Sequence, residues 1–346
     1  MSIVFEGPYY HNIIIPSLFC GCVTYLVVEN VHTKRSLERE FVRSIENRTM
    51  NSKKKQNKQQ FQILINTGYT HKLKIKTLKQ TIKQRNMAIK TFLTDNDKRC
   101  NKLACTNPNE AKFVYQKIFQ EEEYGHLDYK CGDHIVDIGG NIGVFSKYAA
   151  MRGGPKTTVW SFEPMPPLYK CLKENVRSKD KCFNIGIGKS GLINMDYLPN
   201  YTLLSGHLAS KNLELYSEAA RKNDAEIDVH HAFKSKSYEV QVVPLSIALN
   251  PIVEKGETIS ILKVDVEGME HEVVSTIDDE LWKCIQQVVL EVHDIGDRIA
   301  WMKDLLISQG FEITQSELAS PSYLLGEGIV EDKINTCLIT GMKKKQ

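Results

Sequence analysis

No two of the nine cysteines stand at the C-x-x-C spacing of a structural zinc site, so the chain holds neither a zinc ribbon nor a redox dithiol built from sequence neighbours. Nor do they offer a disulfide framework. Cys20 and Cys22, the one close pair, sit in an apolar run, and free thiols in a reducing compartment account for the set. Long apolar runs are missing too. From Gly7 to Val28 there is no Lys, Arg, Asp or Glu, but the apolar centre, 13–28, is only 16 residues. That is short of the roughly 20 a spanning helix needs, and Pro16 and Gly21 interrupt it. No basic stretch precedes it, as a cleaved signal would require. The segment reads as a membrane-associated anchor, a buried strand or a poorly ordered extension of a cytoplasmic chain. No internal repeat is present.

Excess charge is also lacking, with 45 Lys and Arg against 42 Asp and Glu in 346 residues. The balance hides a gradient. Up to Cys105 there are 19 basic and 7 acidic residues, and from Thr106 onward 26 and 35. A basic leading part suits an anionic surface, membrane or nucleic acid, or is simply a solvated lysine-rich face. Apolar and charged fractions of 42% and 25% belong to a globular protein, and the length allows one large α/β domain plus an extension.

What the chain does have is HIVDIGGNIGVFSKYAA, His134 to Ala150. Ile135, Val136 and Ile138 surround Asp137, and Gly139, Gly140, Asn141 and Gly143 follow before a run with helical spacing. This predicts a buried parallel strand, a tight turn, and a helix whose N-terminus faces a ligand. The spacing D-x-G-x-N-x-G is not the dinucleotide pattern G-x-G-x-x-G. An acid before the first glycine suits a ligand carrying positive charge, where a pyrophosphate would be repelled.

Around this stretch, residues 1–95 read as an N-terminal extension, with the apolar segment 13–28, a basic linker at 50–60 and short strands across 73–93. Residues 96–346 read as the catalytic domain. Within it the spacing predicts a helix over Asn109–Gln120, strands at Thr158–Phe162 and Lys181–Ile185, and a helix over Pro166–Val176. A hairpin is expected across Gly186–Tyr197, then a long polar insertion at 200–236 with a helix near Leu213–Arg221. Strands follow at Tyr238–Val243, Thr258–Val266 and Gln287–Val292, a helix at Asp297–Gln309, and two closing strands. The β/α alternation implies a doubly wound sheet that binds its ligand at the carboxyl ends of its strands.

Four carboxylates fall at that edge: Asp137, Glu163, Asp265 and Glu291. Glu163, followed by Pro164 at the end of the second strand, is placed to accept both hydroxyls of a ribose. A second dense stretch is LKVDVEGMEHEVV, Leu262 to Val274. Lys263, Asp265 and Glu267 alternate with apolar residues, so one strand face would carry all three charges. A strand-end acid can position an acceptor or take its proton.

VDIGGNIG, SFEPMPPLYKCLKENV, LKVDVEGMEHEVV and VVLEVHD, in this order and spacing, resemble the FkbM family of S-adenosylmethionine-dependent methyltransferases, over roughly Asn109 to Met342. The resemblance implies a class I methyltransferase fold: an α/β, Rossmann-like seven-stranded sheet with a reversed last strand, here preceded by the basic N-terminal extension. It implies S-adenosylmethionine as cofactor, with Asp137, Gly139, Gly140, Asn141 and Gly143 lining the methionine end and Asp137 helping to hold the amine. Glu163 and Pro164 would lie at the ribose, and Asn184 and Ile185 near the adenine. Asp265 is the expected base or acceptor-positioning group, with Lys263, Glu267, His293 and Glu291 around it. No metal is expected, although Asp265, Glu267 and Glu291 offer oxygen ligands. The expected acceptor is a hydroxyl on a small molecule, sugar or lipid. The alternatives are a nucleic-acid methyltransferase using the basic leading part, and a non-catalytic scaffold of methyltransferase shape.

Overall fold

Strands covered on both faces need apolar residues at nearly every position, and three segments of this chain meet that demand. In the computed structural model they form the centre of a seven-stranded sheet. The structure describes residues 3–4, 14–15, 89–94, 97, 99–207, 235–294, 296–319 and 336–344, with backbone alone for 3–4, 14–15 and 315–319. The chain divides into two compact units, Met1–Arg85 and Asn86–Gln346. In the first, Ile3–Val4 pairs antiparallel with Ile14–Ile15. The rest of segment 13–28, the linker 50–60, the expected strands before Ile89 and the expected helix near Leu213–Arg221 lie outside the described residues. Among the described residues no helix is long and apolar enough to cross a membrane.

The second unit opens with β1 (Lys90–Leu93) antiparallel to β2 (Lys102–Cys105). α1 (Pro108–Tyr115) starts where Asn107 accepts the Asn109 N–H and Pro108 needs no donor of its own. It widens into a π turn, Gln116–Gln120, that buries Ile118 and Phe119. β3 (His134–Ile138) turns into α2 (Val144–Arg152), β4 (Thr158–Phe162) into α3 (Pro166–Asn175), and β5 (Lys181–Phe183) follows. Next come β6 (Gly186–Ile187), β7 (Gly191–Tyr197) and β8 (Lys236–Val243). Two short helices, α4 (Leu245–Ala248) and α5 (Asn250–Val253), precede β9 (Ile259–Val264), and α6 (Glu270–Val274) and α7 (Asp279–Cys284) precede β10 (Gln287–His293). α8 (Arg298–Ser308), β11 (Phe311–Ala319) and β12 (Thr336–Lys343) close the chain. Helices of four to six residues are too short for a 3.6-residue period to show, which is why α4 to α7 are absent from the sequence reading.

The sheet order is β11-β12-β10-β9-β3-β4-β5. β5, β4, β3, β9 and β10 are parallel, and β12 runs against both neighbours, so the expected sheet with a reversed last strand is the one observed. From β3 the chain winds one way to β4 and, later, the other way from β9 to β10, which puts the switch point, and the crevice, at the carboxyl ends of β3 and β9. The expected hairpin over Gly186–Tyr197 is not formed. β8 lies between β6 and β7, parallel to one and antiparallel to the other. Tyr238, Val240 and Val242 of β8 are buried in alternation, and this strand offers β7 a seven-residue ladder that the two residues of β6 cannot match.

Candidate active site at the carboxyl ends of the central strands

The turn between β3 and α2 is tied down from behind. The N–H groups of Gly139 and Gly140 both donate to the carbonyl of Phe162, at 3.0 and 2.9 Å, joining the turn to the end of β4. Gly139 and Gly143 have φ of 79° and 88°, which a side chain resists. At Gly143 a Cβ would also lie 2.7 Å from Leu172. Asn141 takes φ 46° without that freedom, and its own carboxamide oxygen accepts the N–H of Ile142 at 2.7 Å.

Glu163, the first residue beyond β4, reaches back into this turn. One carboxylate oxygen accepts the Asn141 N–H at 2.8 Å and the other the Met165 N–H at 2.7 Å. Burial pushes its carboxyl up to about 7, against the pull of those two N–H groups. Asn184, beyond β5, donates to the carbonyls of Glu163 and Pro164, both at 2.9 Å, and Ile185 beside it is buried. Residues foreseen for the ribose and adenine thus belong to one stitched edge.

Beneath the edge runs a polar row that the sequence did not announce as a unit. Ser161, Asp137 and Lys263 are in register on β4, β3 and β9. Asp137, foreseen just after its strand, lies within β3 and has no exposed surface. Its oxygens are engaged by Lys263 at 3.3 Å and by the Ser146 hydroxyl at 2.5 Å, and Ser146 also meets Ser161 at 2.7 Å. Lys263 turns its ammonium to Asp265 at 3.1 Å as well. Burial opposes its charge, but Asp265 and Asp137 outweigh burial and keep it protonated.

The expected alternation of Lys263, Asp265 and Glu267 along one strand is corrected by the structure: β9 ends at Val264, and the next residues form a turn in which Glu267 has φ 54°. The backbone leaves the sheet here because Gly268 and Met269 lead into α6. Glu267 still meets His293, foreseen after a strand and found as the last residue of β10, at 3.6 Å. On its other edge His293 Nδ1 faces Glu270 at 3.2 Å. Burial disfavours the imidazolium, yet the bond to Glu270 and the charge on Glu267 raise it to about 10. Burial carries Glu267 up to about 8, with His293 pulling the other way. Glu291 is pushed well up by burial and by the charges of Asp265 and Glu267. Among the described residues no three His, Cys, Asp or Glu side chains are placed to hold a metal ion.

Sequence reasoning missed Ser146, which sits in the first turn of α2 and completes the coordination of Asp137. It also missed Glu270, three residues after Glu267, whose spacing in EGMEH on a turn leading into a helix was the available signal. Asn175 went unremarked as well. It closes α3 and bonds both the N–H and carbonyl of Ala104 and the carbonyl of Ile142, between 2.6 and 2.8 Å.

Residues 137–314 match a family model described as the methyltransferase FkbM domain. The chain is 33% identical over 218 residues to methyltransferase sdnD of Sordaria araneosa, covering 60% of this chain and 84% of that protein. It is 32% identical over 232 residues to 31-O-demethyl-FK506 methyltransferase FkbM of Streptomyces tacrolimicus, covering 62% of this chain and 87% of that one. The crystal structure of methyltransferase FkbM from Methylobacillus flagellatus aligns with TM-score 0.37 at 15% identity, over 65% of this chain and 47% of that chain.

Proposed function

Since the chain belongs to the FkbM family of S-adenosylmethionine-dependent methyltransferases, we propose that it methylates the oxygen of a hydroxyl on a small molecule, sugar or lipid. One observation carries the cofactor part of this reading: the Gly139–Gly143 turn and the Glu163 carboxyl, which the cofactor requires side by side, are bonded to each other at the switch point of the sheet. Support for oxygen as the acceptor atom comes from a 32% identical relative named 31-O-demethyl-FK506 methyltransferase.

The donor set fits the cofactor. Each Glu163 oxygen has one lone pair committed to a backbone N–H and another left for a ribose hydroxyl. The bound cofactor supplies an electrophilic methyl on a sulfonium. What the chain must add is alignment of the attacking oxygen and a place for its proton. Asp265 and Glu267, both partly exposed, are available for that, with His293 against Glu267 and the charges of Glu291 and Glu123 acting on Asp265. A site so rich in carboxyls favours an uncharged acceptor over a polyanion, since phosphates would meet like charge at short range.

Titration calorimetry with S-adenosylmethionine on the wild-type chain and on Glu163→Ala tests the cofactor site, and transfer of tritiated methyl to pools of neutral hydroxylic compounds tests the acceptor class. Label recovered in alkali-stable ether products supports O-methylation. Label in nucleic acid, or a folded wild-type chain without affinity for the cofactor, refutes the proposal.

A further inference from the structure

Asp265 and Glu267 are anchored to opposite sides of the site. Asp265 is pressed against the glycine turn. Its N–H donates to the carbonyl of Ile138 at 3.1 Å, and its own carbonyl oxygen lies 1.7 Å from where a Cβ on Gly139 would stand. Glu267 instead faces His293, which Glu270 holds from behind. Gly268 donates its N–H to the same Glu270 oxygen at 2.7 Å, so the turn carrying Glu267 is tied to the β10 side of the crevice.

Charge divides the two further. Lys263 is shared between Asp137 and Asp265, at 3.3 and 3.1 Å, so one ammonium faces two carboxylates. Asp137 has no exposed surface, and its second oxygen is taken by Ser146. The Asp265 side chain is 28% exposed. The negative charge that Lys263 leaves unmatched therefore opens to solvent at Asp265, directly beside the first glycine of the turn. Glu123, Glu267 and Glu291 also act on Asp265, so negative charge is in excess around it and a cation is favoured there. The methionine end of the cofactor carries one, and the glycine turn is where that end belongs.

We infer that Asp265 pairs with the ammonium of the cofactor's methionine end, which leaves Glu267, oriented by His293, to take the acceptor's proton. The assignment rests on the methyltransferase reading and moves the ammonium from Asp137, which is buried beneath Lys263, to the carboxylate above it. In the transfer the acceptor O–H bond breaks as the O–CH3 bond forms, the electron pair of the S–CH3 bond returns to sulfur, and the proton ends on the Glu267 carboxylate. Asp265 takes no part in the proton transfer.

The test uses two ligands that differ in the amino-acid part. S-adenosylhomocysteine has the ammonium, and 5′-methylthioadenosine keeps the nucleoside and thioether but lacks it. By calorimetry on the full chain, Asp265→Asn weakens S-adenosylhomocysteine about tenfold or more, ~1.4 kcal/mol, and changes 5′-methylthioadenosine by less than about twofold. Asp265→Glu recovers part of the loss, and Glu267→Gln leaves both affinities in place. Because 5′-methylthioadenosine still binds Asp265→Asn, a misfolded variant is recognised at once. Equal weakening of both ligands, or an unaltered affinity for S-adenosylhomocysteine, overturns the assignment. A wild-type chain that binds neither ligand overturns the methyltransferase reading itself, and the assignment with it.

Discussion

Lys263 and Asp137 are register partners on the two strands that flank the switch point, with the ammonium 3.3 Å from a carboxylate that has no exposed surface. Removing one member of such a pair strands the other charge in the interior. Lys263→Met is therefore expected to destabilise the folded chain by about 3–5 kcal/mol, and the double substitution Lys263→Met with Asp137→Asn to recover part of that loss. Urea unfolding of the three chains checks it. A single substitution costing less than about 1 kcal/mol would show that the pair contributes little to the fold.

Two adjacent glycines of the turn should respond in opposite ways. At Gly139 a Cβ would collide with the backbone oxygen of Asp265 at 1.7 Å, and φ is 79°. At Gly140 the nearest atoms to a Cβ lie at 3.4 to 3.6 Å, ordinary contact distances. Gly139→Ala should forfeit cofactor binding and lose stability beyond the roughly 1–2 kcal/mol that left-handed backbone alone imposes on a side chain. Gly140→Ala should change stability by less than about 1 kcal/mol and keep cofactor affinity. Melting curves and calorimetry on both variants decide it.

Glu110 predicts a pH dependence away from the site. It is buried on α1, accepts the Thr202 hydroxyl at 2.6 Å, and burial carries its carboxyl from 4.5 to about 7 despite that bond. A carboxyl whose folded value is raised favours folding fully at pH below its unfolded value, and that contribution is lost as pH rises through the folded value. Stability should thus fall between about pH 4.5 and pH 7, by an amount on the order of 3 kcal/mol for this group. Glu110→Gln, with nothing to ionise there, should make that part of a plot of unfolding free energy against pH less steep, the remaining slope belonging to Glu163 and Glu267. An unchanged slope would mean that Glu110 is solvated in the folded chain.

Asn175 makes three hydrogen bonds to the backbone of Ala104 and Ile142, tying β2 to the turn. Asn175→Ala leaves those groups without partners in a buried place, at about 1–3 kcal/mol for each group left unmade. A loss of about 2–4 kcal/mol in unfolding free energy is expected, with weaker cofactor binding because Ile142 belongs to the turn. If stability drops while cofactor affinity holds, the link from β2 to the turn is only structural.

The central strands were legible because burial on both faces writes itself as a continuous apolar run, and TVWSF is β4 to the residue. Glu163 and Asp265 were legible as strand-end acids because a charge directly after such a run has few structural reasons to be there, whereas Asp137 and Glu291 lie within their strands. Partners across the chain were not. Nothing local in KLAC says that its backbone will meet Asn175, and nothing in SFEPM says that Glu163 will accept an N–H from Asn141. Pairing of β8 between β6 and β7 depends on a contact across some fifty residues of sequence, from Gly191 to Val242, where a local reading sees only two glycines and a turn. Glu267 was read as a strand residue because its alternation continues past Val264, while the turn that ends β9 is set by the glycine after it.

The ladder of β7 and β8 is closed from Tyr197↔Lys236 to Gly191↔Val242. Its two strands fix the ends of everything between Leu198 and Ser235, and fixed ends change what length costs. The entropy of closing a loop grows only with the logarithm of its length, about 0.6 kcal/mol for each doubling. Length added beyond His207 therefore costs little closure entropy, whereas Leu198 to Gly206 are held in place, Thr202 by its bond to Glu110 and Gly206 by its bridge to Asp196.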